Sequence, residues 1–269
     1  EKGYPLYKPQ PLYVEQDPKD YWDAVCEVTH GVLANSGAMP EDVKALSFSV
    51  QAVNIIPVDK DGNVLHNAIS WMDGRAEKQA EEINTRCGID LVRSQDHQSR
   101  LLWIKENRPD IYEKTAYFLD CNSFLQYKAT GVMAVEHDHP GIAKKDPMIQ
   151  AYIDATYADI DAAKLGPTVA ACEKYAALDE KGASDLGLIT GTPVFGGMID
   201  VTAASAGCGC CKEGDAHIYL GSSGWMSALI SQACDGSEGS YLLDSIDPKL
   251  LIYGGCTNSC CLMFDWVID

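Results

Sequence analysis

The chain has 269 residues and a hydrophobic fraction of 46%, which is sufficient for one large domain or two smaller ones. Its 39 acidic residues outnumber 21 basic ones and give a net charge of −18. A surface this acidic repels phosphate backbones and anionic lipids, which excludes nucleic acids and membranes as partners. No apolar run approaches the ~20 residues of a membrane helix, and the first ten residues contain neither a signal-peptide core nor an initiator Met. We therefore expect a cytoplasmic protein and expect this chain to be part of a longer one.

The eleven cysteines stay below the roughly 8–10% that marks a disulfide scaffold. Their odd number in a chain of this size favours reduced thiols. Cys208-x-x-Cys211 and Cys256-x-x-x-Cys260 do have zinc-like spacings, but the first pair falls where a helix of small residues is predicted to end. We therefore predict no metal site, and a metal or redox site made by the cysteines is the least favoured hypothesis.

The first predicted helix begins at Pro18, because proline suits the first helical turn and Asp17 can cap it. The residues before it hold three prolines and are expected to be extended. Apolar side chains recur near helical spacing from Tyr21 to Val32 and predict a buried stripe.

Strands are predicted next, over 43–50 and 54–59. Asp61-Gly62 is a strong hairpin signal and leads into a further strand over 64–71. These segments alternate with predicted helices, which indicates an α/β fold.

Trp71-x-Asp73-x-Arg75 follows the third strand and precedes a helix predicted over 76–85. A flat aromatic face can pack on the apolar face of a polyol, so Trp71 is a candidate wall for a sugar. A core Trp and an Asp73 helix cap are the alternatives.

The middle of the chain is interpreted as scaffold. An amphipathic helix is predicted from Ser99 to Asn107, and Pro109 stops it. The run Glu-His-Asp-His over 136–139 could place alternate residues on one strand face. This run by itself is weak evidence for a metal site, and a solvated loop is the preferred interpretation.

The segment from Gly191 to Gly207 carries the principal catalytic candidate. A short strand over 192–195 is ended by Gly196-Gly197, a pair that suits positive φ or a close backbone approach. Asp200 follows at or near the start of a helix of small residues, where an anion is favoured by exposed N–H groups. Asp200 is therefore either a helix cap or a carboxylate that accepts a proton from a substrate hydroxyl.

A strand over 216–220 leads into the hairpin Gly221-Ser-Ser-Gly224. Backbone N–H groups and hydroxyls in such a hairpin can hold a phosphate without a lysine-bearing loop. An ordinary Gly/Ser turn is the commoner alternative.

This order of strand, Gly-Gly, Asp200, small-residue helix, strand and hairpin resembles the FGGY family of carbohydrate kinases, which includes xylulokinases, gluconokinases and glycerol kinases. The resemblance implies an α/β, ribonuclease H-like lobe of the actin/hexokinase type, with a mixed sheet and flanking helices, plus the start of a second similar lobe. It implies ATP and Mg²⁺ as cofactors and a sugar or polyol in the cleft between lobes. Asp200 would be the catalytic base, and Gly221, Ser222 and Ser223 would lie against the ATP phosphates.

Further motifs extend the resemblance over nearly the whole chain. Gln51 followed by Pro57-Val-Asp59, the Trp-x-Asp-x-Arg motif and Gly254-Gly-x-x-Asn258 each have family counterparts. The substrate-binding residues implied in this way are Gln51, Ala52, Val53, Trp71, Asp73 and Glu136. Asn258 is implied to lie beside ATP.

The chain departs from the family at two places. Ala52-Val53 stands where glycerol kinases have Arg-Glu and many xylulokinases have Met-His, so polar groups that grip hydroxyls are absent. Cys260-Cys261 replaces two glycines near the nucleotide, where side chains would crowd it. These departures support a second hypothesis, a non-catalytic sugar-binding or regulatory relative.

The resemblance divides the chain into two lobes. Residues 1–211 would be the first, sugar-binding lobe without its first hairpin, whose Asp-x-Gly-Thr motif does not occur here. Residues 212–269 would begin the second, nucleotide-binding lobe. The isolated chain is therefore expected to be inactive, its expected partner is a small sugar or polyol, and a homodimer is left open.

Overall fold

The computed structural model describes residues 1–136, 147–221, 223–232, 240–257 and 259–268. The chain forms two compact units, one of Glu1–Glu136 and Asp154–Met198, the other of His137–Ile153 and Ile199–Asp269. Each unit mixes helices with small sheets.

The helices are α1 Pro18–Ser36, α2 Glu77–Cys87, α3 His97–Asn107, α4 Pro109–Lys114, α5 Cys121–Thr130, α6 Pro147–Thr156, α7 Glu180–Leu186, α8 Asp200–Gly207 and α9 Cys261–Ile268. The strands are β1 Glu15–Gln16, β2 Ser49–Val50, β3 Ile56–Val58, β4 Ala68–Ile69, β5 Tyr117–Leu119, β6 Val135–Glu136, β7 Thr168–Val169, β8 Lys174–Ala177, β9 Pro193–Phe195, β10 Met198–Ile199, β11 Ala216–Leu220, β12 Gly224–Ile230, β13 Ser240–Asp244 and β14 Leu251–Thr257.

Helix α1 begins as its sequence predicts and is fully buried over a shorter length than expected. The Asp17 carboxylate accepts the Lys19 N–H at 2.8 Å, and proline occupies the first turn. Tyr21 is buried, whereas Val28 and Val32 are 38% and 59% exposed. The predicted stripe was wrong at these two valines: they lie on the same helix face as Tyr21, but the fully buried residues of α1 are all in its first two turns.

The core of the first unit lies around the antiparallel pair β3–β5, in which Ile56 is opposite Leu119. Neither side chain has exposed surface. Helices α1, α5 and α7 add Trp22, Phe124 and Leu186 to the same apolar cluster. This cluster fixes the loops that follow β2 and β4.

The strands predicted over 43–50, 54–59 and 64–71 are present in shorter form as β2, β3 and β4. Gly62 has a φ of 77° in the predicted turn between the last two.

The second unit is built on an antiparallel four-stranded sheet in the order β11-β12-β14-β13. In its register, Tyr219 of β11 is opposite Trp225 of β12. Helix α8 packs against β11. Val201 of this helix packs against a small apolar cluster, which consists of Cys210, Leu229, Leu250 and Ile252.

The structural boundary falls earlier than the expected boundary at residue 211. The units divide after Met198, so α8 belongs to the second unit. The physical reason is that α8 contacts β11 and its Val201 packs against an apolar cluster made by residues that follow it in the chain.

Among the described helices, none combines the length and apolar character that crossing a membrane requires.

Candidate functional site

A double-glycine turn positions the start of α8. An added Cβ at Gly196 would lie 2.2 Å from the Ala170 carbonyl oxygen. Gly197 has a φ of 74°, which residues with a Cβ rarely adopt. Both roles predicted for the glycine pair are therefore present, and the chain enters α8 at Asp200.

Asp200 is the first residue of α8, and its side chain is exposed. The N-cap position belongs to Ile199, which has no side-chain capping bond. The Asp200 Oδ1 accepts the adjacent Val201 N–H at 2.9 Å. This leaves further lone pairs of the carboxylate able to accept a proton.

Electrostatics favour a basic carboxylate at this position. Desolvation raises the pKa of Asp200 above its ordinary value, and the Val201 N–H offsets only part of that rise. Burial raises the pKa of Tyr241, and the Asp200 charge adds to this rise. A carboxylate with a raised pKa is a stronger base, while the α8 N-terminus still favours its anion.

The hairpin between β11 and β12 has a glycine at its first position, where the Tyr219 ring lies close to the backbone. The Gly221 N–H donates to the Ser223 carbonyl at 3.0 Å. An added Cβ at Gly221 would lie 2.5 Å from the Tyr219 ring, which itself stacks on Trp225 at 3.7 Å. Ser222, a predicted phosphate contact, lies outside the described residues.

The first of the two cysteines that depart from the family pattern contacts this hairpin. A Cβ at Gly224 would lie 3.0 Å from the Cys260 Sγ, and the Cys261 N–H donates to the Gly221 carbonyl at 2.9 Å. The start of α9 is thereby tied to the hairpin. Asn258, the other predicted nucleotide contact, lies outside the described residues.

In the first unit, the loop after β2 holds three predicted sugar contacts. The Gln51 Nε2 donates to the Gln16 Oε1 at 2.9 Å and to the Tyr21 hydroxyl at 3.3 Å. Ala52 is partly buried. Val53 has a φ of 45°, and a β-branched residue in that region is strained and must be held by its surroundings.

Arg100 of α3 supplies that restraint. Its guanidinium donates to the Val53 carbonyl at 2.5 Å and to the Ser70 carbonyl at 2.5 Å. The side chain is fully buried, and burial lowers its pKa to about 10, which leaves it charged at neutral pH. Sequence reasoning missed Arg100; the available signal was an arginine beside Leu101-Leu102 on the apolar side of a predicted helix.

Trp71 lies between the same two segments, because it follows Ser70 in the chain and contacts Asn54, the residue after Val53. Its backbone N–H donates to the Asn54 Oδ1 at 3.1 Å, and its side chain is 39% exposed. The core-Trp alternative is therefore wrong, and an aromatic face remains available for a ligand.

Asp73 lies beneath this loop. It has no exposed surface. Its carboxylate accepts the Val14 N–H at 2.5 Å and two guanidinium N–H groups of Arg75 at 2.8 Å. Arg75 also donates to Glu15 at 2.7 Å. This geometry differs from the expected sugar contact, because both carboxylate oxygens are already occupied inside the protein.

Glu136 ends β6, and its side chain lies outside the described part of the chain, as do His137 and the rest of the predicted loop to 139.

Comparisons with known proteins identify the family and the fold. The family model "FGGY family of carbohydrate kinases, N-terminal domain" matches residues 1–207. Xylulose kinase of Bacillus subtilis (strain 168) is 27% identical over 83% of this chain and 47% of its own length. The chain therefore spans about half the length of the curated relatives it matches.

Solved structures show the same fold. The crystal structure of xylulose kinase from Rhodospirillum rubrum superposes with a TM-score of 0.83 at 22% identity, over 98% of this chain and 57% of that one. The crystal structure of Plasmodium falciparum glycerol kinase with ADP superposes with a TM-score of 0.77 at 17% identity, over 99% of this chain and 57% of that one. The ribonuclease H-like α/β fold predicted from the sequence is confirmed.

Proposed function

This chain belongs to the FGGY family of carbohydrate kinases, and we propose that the complete protein transfers the γ-phosphoryl group of ATP to a hydroxyl of a sugar or polyol. This proposal rests on Asp200, the first residue of α8, whose exposed carboxylate has lone pairs available to accept a proton. Residues of the first unit bind the sugar, and the strands after α8 begin the nucleotide lobe.

Asp200 acts as the general base. Its carboxylate accepts the proton of the substrate hydroxyl as that oxygen attacks phosphorus, a role that contributes roughly 10²–10⁴ in rate. Desolvation has already made the group more basic. The N–H of Val201 holds the side chain in one orientation.

The Gly221–Gly224 hairpin receives phosphate oxygens. The Gly221 N–H is used within the turn, so this residue shapes the hairpin. The Ser223 hydroxyl has no hydrogen-bond partner in the described part of the chain and is free to donate to a phosphate. Mg²⁺ would accompany ATP and offset its charge.

The test is ADP release by the complete protein with ATP, Mg²⁺ and a panel of sugars, sugar acids and polyols. Because a xylulose kinase is among the relatives, xylulose is the first substrate to assay, followed by gluconate and glycerol. Release of ADP that depends on one panel member supports the proposal.

A second candidate function is sugar binding without phosphoryl transfer. Ala52-Val53 offers apolar side chains where hydroxyl-binding groups are expected, and Cys260 packs on Gly224 of the hairpin. Calorimetric binding of a sugar by a protein that neither binds nor hydrolyses ATP would favour this function over a kinase.

Replacing Trp71 with Ala is expected to raise KM for the sugar by about threefold to tenfold, with kcat little changed, since a stacked aromatic face contributes ~0.5–1.5 kcal/mol. Steady-state kinetics measure both constants. Met72→Ala is the matched control, because this neighbour is equally exposed at 39%. Equal effects of the two substitutions would contradict a specific wall.

Replacing Arg100 with Lys is expected to raise KM for the sugar about tenfold and leave KM for ATP unchanged. Lysine keeps the charge but lacks the planar fork that reaches two carbonyls, and a hydrogen bond from a charged donor is worth about 1.5–3 kcal/mol. Arg93→Lys, at an exposed ion pair with Asp90, is the control. An equal rise in both KM values would indicate general loosening of the fold.

A further inference from the structure

Two cysteines and a histidine of the second unit bring three metal-ligating atoms together. Cys208 and Cys210 follow α8, and His217 lies on β11. The two sulfur atoms are 3.5 Å apart, and they and a ring nitrogen of His217 all lie within 4.8 Å of one another. We propose that Cys208, Cys210 and His217 bind a thiophilic divalent cation of the Zn²⁺ type.

The sulfur–sulfur distance suits tetrahedral coordination. With Zn–S near 2.3 Å and Zn–N near 2.0–2.1 Å, tetrahedral angles place two sulfurs about 3.8 Å apart and sulfur and nitrogen about 3.6 Å apart. The observed sulfur separation of 3.5 Å is close to that value. A disulfide would require the sulfurs to approach by about a further 1.5 Å, and both cysteines are free.

The chemistry of the donors also fits. Thiolate and neutral imidazole are the ligands that Zn²⁺ prefers in proteins. Binding converts two thiols to thiolates and releases two protons, so the cation and its thiolates together carry no net charge. Cys210 is buried and Cys208 is exposed, and a water molecule would complete the tetrahedron, as at zinc sites with three protein ligands.

The hydrogen bonds of His217 show that one ring nitrogen carries a lone pair. The Trp225 Nε1–H, which can only donate, lies 3.2 Å from the His217 Nε2. The Nδ1 therefore carries the hydrogen and faces the Ser205 hydroxyl at 3.4 Å. A cation bound at Nε2 would replace the hydrogen bond from Trp225. A cation bound at Nδ1 would move the ring hydrogen to Nε2, where it would face the Trp225 Nε1–H and repel it. Either way, metal binding breaks the contact with Trp225.

The zinc-like spacing of Cys208 and Cys211 in the sequence did not predict this set of ligands, and no metal site was expected. The fold instead turns Cys210 inward beside Cys208 and adds His217 from the neighbouring strand. This inference does not depend on the proposed kinase activity.

The experiment titrates the reduced protein with Co²⁺, a spectroscopic substitute for Zn²⁺. We expect a thiolate-to-cobalt charge-transfer band that saturates at one ion per chain, disappears on addition of Zn²⁺, and is accompanied by a change in Trp225 fluorescence. His217→Gln and Cys208→Ser should each weaken Co²⁺ binding at least about tenfold. Cys172→Ser, at an exposed cysteine of the first unit, should bind as the unsubstituted protein does.

A further variant and a folding control make the outcome decisive. Trp225→Phe should abolish the fluorescence response and keep the charge-transfer band. His217→Gln and Cys208→Ser change exposed or partly exposed positions, so their circular dichroism should remain native even where Cys210→Ser disturbs the apolar cluster. The proposal is overturned if folded protein shows no charge-transfer band, or if the band is undiminished in both His217→Gln and Cys208→Ser.

Discussion

Asp200→Asn is expected to lower kcat of the complete protein by roughly 10²–10⁴, because the amide cannot accept the proton of the substrate hydroxyl. The substitution keeps the shape of the side chain and an oxygen that can accept the Val201 N–H. KM values for sugar and ATP should change little. ADP release measured at saturating sugar and ATP provides the test.

Asp17→Asn is the matched control for this substitution. Asp17 is also a carboxylate at the start of a helix, where its oxygen accepts a backbone N–H at 2.8 Å, but the proposed mechanism gives it no part in proton transfer. Its variant should turn over normally. If Asp200→Asn retains full turnover, Asp200 is not the base; if both variants lose activity alike, removal of a negative charge at a helix N-terminus explains the loss.

The raised pKa of Asp200 adds a stability criterion. Since the folded-state pKa lies above the unfolded one, any favourable contribution holds at low pH and is lost as pH rises through the folded-state value. At neutral pH the ionised carboxylate therefore costs stability, so Asp200→Asn should melt no lower than the unsubstituted protein. The acidic limb of the rate profile should lie above the ordinary Asp pKa of about 3.9 and vanish with the substitution.

Asp73→Ala is expected to destabilise the first unit by about 3–5 kcal/mol, because it removes one partner of a buried ion pair. Burial would lower the pKa of Arg75, but its hydrogen bonds to Asp73 and Glu15 raise it above the ordinary value. Without Asp73, the Val14 N–H also loses its acceptor. Urea denaturation followed by circular dichroism measures the change.

Asp23→Asn is the control, since it breaks an exposed ion pair with Lys19 and should cost far less stability, because solvent screens such a pair. The kinetics of Asp73→Asn separate positioning from substrate contact. A positioning role predicts a loss of stability together with a higher KM for the sugar. A higher KM for the sugar at unchanged stability would indicate that Asp73 contacts the sugar directly.

Local chemistry in the sequence determined the elements that hold the proposed site. Asp17 and Pro18 specify where α1 begins, Gly196-Gly197 specifies the turn before α8, and the run of small residues after Asp200 specifies the helix. Each of these signals acts within a few residues, through a cap, a positive φ or a backbone approach. The family's motif order rests on the same local signals, which is why the fold class could be predicted.

Only the tertiary structure decided which side chains meet. Arg100 reaches carbonyls 47 and 30 residues away, and Asp73 accepts an N–H 59 residues away. Cys208 lies beside Cys210 and His217, whereas its spacing in the sequence suggested Cys211 as its partner. The physical reason is that spacing along the chain fixes backbone geometry, whereas the partner of a buried polar group is chosen by the packing of distant segments.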